Sequence, residues 1–86
     1  MTATVDDVKD ALSAISPDCG YGDWFRIAAA IYSALGDDGF DVFDEWSRGS
    51  KTKYRGRRSC KYQWDHSKRL TKITVGTLFY YAEHGL

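Results

Sequence analysis

Residues 21–36 read YGDWFRIAAAIYSALG, and this stretch decides the fold. Trp24, Ile27, Ala28, Ile31 and Leu35 recur at three- and four-residue steps, the period of one helix face. Asp23 is placed to cap the free N–H groups at the start, and Gly36 to stop the helix. The alanines allow a neighbouring helix to approach closely.

The flanks carry the same period. On the N-terminal side, Thr4 is a cap, and Asp6 and Asp7 suit the positive end of a helix dipole. Val5, Val8, Leu12 and Ile15 form one apolar stripe, with Pro17 and Gly20 ending the helix. On the C-terminal side, DDGFDVFDEWSRG (37–49) predicts a third helix with Phe40, Phe43 and Trp46 on one side. Asp41, Asp44 and Glu45 are assigned to its opposite, exposed side. Residues 50–58 are polar, basic and glycine-containing, so a loop is expected, with a fourth helix resuming near Ser59 and carrying Cys60 and Trp64 inward. Thr74 is read as the cap of a last helix that buries Val75, Leu78, Phe79 and Ala82 and ends at Gly85. Strand-like alternation is weak throughout. The expectation is an all-α, compact bundle of about five short helices, one domain over residues 1–86, with a core pinned by Trp24, Trp46 and Trp64. Such a short chain has a thin core, which three Trp, six Tyr and four Phe compensate.

The N-terminus is acidic and has no apolar run of the signal-peptide kind, and no stretch approaches ~20 apolar residues, so a soluble, cytoplasmic chain without a membrane role is expected. Cys19 and Cys60 lack CxxC pairing and are expected to be reduced, mostly buried thiols. His66 and His84 stand at no recognised ligand spacing. The chain has no GxSxG, HExxH or Walker-type loop. The acidic cluster Asp37, Asp38, Asp41, Asp44, Glu45 lacks calcium-loop spacing and is read as a solvated face. No metal, cofactor or catalytic residue is therefore expected, and the chain is read as not an enzyme.

Charge is segregated. Twelve Lys and Arg balance twelve Asp and Glu, yet residues 1–47 hold ten acids and two bases, about −8. Residues 48–72 hold ten bases and one acid, about +9. Lys51, Lys53, Arg55, Arg57, Arg58 and Lys61 lie within eleven residues, followed by Lys68, Arg69 and Lys72. Phosphates are a natural partner for such a run, because neutralising them releases counterions. Arginine forks fit phosphate oxygens, and Tyr54 and Tyr62 offer faces on which unpaired bases stack. The nucleic-acid-binding candidates are Lys51, Lys53, Tyr54, Arg55, Arg57, Arg58, Lys61, Lys68, Arg69 and Lys72, on and around a loop outside the tryptophan core. Two other readings of the same charge are a solvated face and a surface onto which the acidic half folds.

The ordered set of aromatics and glycines resembles the primase C-terminal domain of the second type. Tyr21, Asp23 and Trp24 match the start of that family's second helix. Trp46, Ser47, Ser50, Lys53 and Tyr54 match its Trp-Ser and Lys-Tyr positions. Trp64 matches a later Trp, and Ile73, Thr74, Gly76, Thr77, Leu78, Ala82 and Gly85 match its close. The resemblance covers about residues 7 to 86. It implies a small helical, non-catalytic helper in replication proteins of phages, plasmids and integrated elements. Such a module follows a primase catalytic domain, precedes a helicase, and assists template or nucleotide engagement. Only Lys53 and Tyr54 of the basic run belong to the family pattern; the arginines of 55–58 are this chain's own. Because the module normally sits inside a longer chain, this sequence is expected to be either an excised piece or a small free-standing protein of a mobile element. The alternative function is then binding of a host protein or nucleoprotein complex, for example as an inhibitor, and a third is a structural spacer.

Overall fold

In a computed structural model, residues 3–85 are described. The single domain expected over 1–86 thus includes positions 1, 2 and 86, which lie outside the described residues. The elements are α1 (Val5–Leu12), α2 (Tyr21–Leu35), a 3-10 turn (Gly36–Gly39), α3 (Phe40–Ser47), α4 (Arg57–Ser67) and α5 (Val75–His84).

The central element is α2. Ala28, Ala29 and Ala30 are consecutive and all buried. At about 100° per residue, three in a row cover most of a helix circumference, so this helix is enclosed rather than one-sided. It packs against α3, α4 and α5, while α1 lies on α5 and α3. Small side chains at 28–30 are what let three helices close around it. Gly36 ends it as C-cap. The chain then folds straight back along α2. A Cβ on Gly39 would stand 2.7 Å from Ile31 Cγ2, so only glycine fits that approach.

The core is an aromatic chain. Phe43 lies between Trp24 (ring centroids 5.1 Å apart) and Trp64 (5.5 Å), and Phe40 and Tyr32 close on Trp64. Each indole N–H has a partner, as a buried donor requires. Trp24 donates to Ser47 Oγ (3.0 Å), Trp64 to Asp37 Oδ1 (3.3 Å) and Trp46 to the Ile15 carbonyl (2.9 Å). Trp24 and Trp64 are fully buried; Trp46 is only partly so and stands at the rim.

Four local expectations are corrected. Gly20, not Asp23, is the N-cap of α2; Asp23 sits in the first turn and bonds Arg26 and Tyr81. Helix α1 stops at Leu12, short of Pro17, and the following turn presents the Ile15 carbonyl to Trp46. Helix α4 begins at Arg57 rather than Ser59. Asp44, assigned to the solvent side of α3, is 1% exposed. Thr4 does cap α1, in a reciprocal pair with Asp7 (3.2 and 3.0 Å). Thr74 occupies the N-cap position of α5 without a side-chain bond, and of the four residues expected inside α5 only Leu78 is fully buried, with the others partly so. Both cysteines are free. Burial pushes the Cys60 thiol up to about 12.

Candidate nucleic-acid interface

The basic run divides into two sets, and Asp44 gathers part of the inner one. Its position follows from spacing: Phe40, Phe43, Asp44 and Ser47 share the buried stripe of α3. A carboxylate placed there must be met by donors, because an unpaired buried charge is very costly. The basic run supplies them. Arg48 Nε reaches Asp44 Oδ2 at 3.2 Å, Arg57 Nη1 reaches the same oxygen at 3.1 Å, and the Tyr54 hydroxyl donates to Oδ1 at 2.9 Å. Arg57 also pairs with Asp41 and lies 4.8 Å from the centroid of Phe40. Asp41 and then Asp44 hold the Arg57 guanidinium above its ordinary pKa, and the Asp44 bond does the same for Arg48. Burial, then the Asp44 contact, raises Tyr54.

The loop before α4 is tied down by Asp18. Ser50 Oγ (3.1 Å) and the Lys51 N–H (2.9 Å) both donate to its Oδ1. The Lys51 N–H first, then Ser50, lowers the Asp18 carboxyl. Ser50 Oγ in turn accepts from the Lys53 N–H at 3.0 Å. Lys53 is buried, and its ammonium donates to the Pro17 carbonyl at 3.3 Å. Gly56 then turns the chain at φ 101°, a conformation that favours glycine, and starts α4.

Three further charge pairs close the inner set. Lys61 meets Asp65 at 2.9 Å, Lys68 meets Asp65 at 3.3 Å, and Lys68 also pairs with Asp37. The Lys68 bond, then that of Trp64, holds the Asp37 carboxyl low; the Lys61 bond does so first for Asp65.

The outer set is what remains. Among the described residues, Lys51, Arg55, Arg58, Arg69 and Lys72 are exposed and make no ion pair. Arg58, Tyr62 and His66 follow one another at four-residue steps on one face of α4, and Arg69, two residues past its end, lies beside Tyr62 and His66. Tyr62 is 62% exposed, with the His66 ring edge-on at 4.5 Å. Of the ten candidates, then, Lys53, Tyr54, Arg57, Lys61 and Lys68 are joined to partners within the fold, and Lys51, Arg55, Arg58, Arg69 and Lys72 project freely. The acidic half does fold onto part of the basic half. Sequence reasoning missed Asp18 and Asp44 as anchors and His66 as a neighbour of Tyr62. The 40-43-44-47 spacing was the available signal for Asp44.

Among the described residues, no group of His, Cys, Asp and Glu is placed to hold a metal ion. Among the same described residues, no helix is long and apolar enough to cross a membrane. In a comparison with known families, residues 8–82 fit the family model described as Primase C terminal 2 (PriCT-2). No curated protein and no solved structure matches the chain.

Proposed function

Because the chain belongs to the primase C-terminal 2 family, a non-catalytic accessory domain of primase and helicase replication proteins, we propose that it holds nucleic acid for such a machine. The template or primer strand lies along the cations that the protein's own acids leave free: Lys51, Arg55, Arg58, Arg69 and Lys72. The primase catalytic and helicase domains, in the same or a partner chain, act on the strand so held, in the cytoplasm of a cell carrying the mobile element. The observation that supports this reading is the division of the basic run. In a chain of zero net charge, five exposed cations of the basic run make no ion pair among the described residues, while their neighbours are paired. Free cations displace counterions from phosphates, which gives affinity without sequence preference. Paired ones first have to give up their carboxylates.

The test is a titration of labelled single- and double-stranded DNA at low and at physiological salt, with R55A/R58A/R69A/K72A beside the wild type. The expected result is binding that falls steeply with salt and is lost in the variant. Absence of binding by the wild type at low salt, or unchanged binding by the variant, overturns the reading.

A further inference from the structure

The outer face of α4 carries more than charge. Tyr62, Asp65, His66 and Arg69 surround a shallow depression of about 100 Å³. Tyr62 is a large aromatic left 62% exposed on a helix whose other aromatic, Trp64, is fully buried. The His66 ring abuts it at 4.5 Å, with planes at 69°. Arg58 stands four residues before Tyr62 on the same face, about 6 Å along the axis, and Arg69, just past the end of α4, borders the depression.

We infer that Tyr62 is a base-stacking platform for single-stranded nucleic acid, with one base in the depression beside His66 and the flanking phosphates on Arg58 and Arg69. The inference rests on the phosphate-binding reading above and adds the strand form to it. Three features carry it. A tyrosine ring held by a neighbouring ring presents its face with little ordering cost, and a base face stacks on it whatever the base. Asp65, at the edge of the depression, has Oδ1 held by Lys61 and Lys68, and its second oxygen is placed to accept an N–H group from a base edge. Arg58, one turn before Tyr62, and Arg69, at the border of the depression, put a cation on either side of a base stacked there. Duplex DNA has its base faces already covered, so it gains only the ends of this site.

The molecule contains its own control. Tyr80 and His84 on α5 repeat the arrangement: four residues apart, ring centroids 4.5 Å apart, Tyr80 59% exposed. Between Ile73 and Gly85, however, there is no Lys or Arg, and the neighbouring charge is Glu83. This pair has the ring without the phosphate anchors.

The experiment is fluorescence anisotropy of the full chain with a labelled single strand and with a labelled hairpin duplex, comparing Tyr62→Ala, Tyr62→Phe, Tyr80→Ala and Arg58→Ala/Arg69→Ala. Helicity by circular dichroism is checked for each; Tyr62 is exposed, and its removal leaves the fold in place. Tyr62→Ala is expected to weaken the single strand about tenfold and the duplex less than about twofold. Tyr62→Phe retains single-strand binding, Tyr80→Ala changes nothing, and the double arginine variant weakens both strand forms. Equal loss of both forms in Tyr62→Ala, or equal effects of Tyr62→Ala and Tyr80→Ala, overturns the platform while the phosphate reading stands. An unchanged single-strand affinity in Tyr62→Ala also overturns it and leaves the depression to a protein partner. Failure of the wild type to bind either form at low salt overturns both readings together.

Discussion

Arg57 and Arg58 are adjacent in the chain and opposite in fate. Arg57 begins the inner face of α4, which continues through Cys60, Trp64 and Lys68 and is occupied by Asp41, Asp44, Phe43 and Asp37. Arg58 begins the outer face, which continues through Tyr62 and His66, with Arg69 just past its end, and meets solvent. The two faces have nearly the same composition, cations with an aromatic between them. What separates them is rotation by about 100° per residue, which aims Arg57 and Lys68 at Asp41, Asp44 and Asp37 and the other set away. A count of basic residues therefore overstates the charge available to a partner, here by about half of the run.

The contrast is broken most severely from the inside. Trp64→Ala removes the ring that joins α4 to Phe40, Phe43 and Tyr32, and is expected to cost about 3–5 kcal/mol, read by urea denaturation. For a thin core that is a large share of the total. Asp44→Ala comes next, at about 2–3 kcal/mol, because three charge-assisted bonds are lost together, although the exposed arginines then rehydrate. Asp44→Asn keeps the shape and an acceptor, so it loses less. The outer face behaves differently. Arg58→Ala/Arg69→Ala shifts stability by no more than about 0.5 kcal/mol. It lowers the slope of log affinity against log salt for single-stranded DNA by about 1.4, from about 0.7 per phosphate contact. A variant that lost stability and kept its salt slope would erase the distinction between the faces.

The smallest effect is one of pH. Asp18, Asp37 and Asp65 are all held below the ordinary carboxylate value of 3.8. Carboxyls depressed in the fold stabilise it above their unfolded pKa, and that contribution disappears as pH falls through the folded values. The midpoint of urea denaturation is expected to be flat from pH 7 to about 4 and to fall below it. Asp37→Asn is expected to shallow that fall slightly, since this group is exposed and screened.

Most of the helices were legible because their apolar period and caps agree. Helix α2 shows five apolar positions on one face and ends at Gly36 as expected. Thr4 announces α1 and Gly85 closes α5. The start of α4 was not legible, for a physical reason: two arginines in a first turn oppose the helix dipole. They are tolerated because Asp41 and Asp44, thirteen or more residues upstream, neutralise one of them. Asp44 was misplaced for the related reason that a carboxylate reads as solvent-facing until its donors are known. Those donors come from a loop and from the next helix, which no local pattern in α3 reveals. The division of the basic run depends on that contact together with those of Asp37, Asp65 and the Pro17 carbonyl, so the list of candidate residues came from the sequence but its partition did not. The exposed Tyr62 was visible as an interleaved aromatic, and its His66 neighbour only as a histidine without a ligand spacing.

The carboxylate at position 44 also has a consequence for inheritance. It answers to three donors at once, Arg48, Tyr54 and Arg57. A lineage that substitutes the acid strands three side chains, and one that substitutes a donor leaves a charge short of a partner. Change at these four positions is therefore expected to be concerted, whereas Arg58 and Arg69 are open to drift one at a time, each step read by selection on the strand alone.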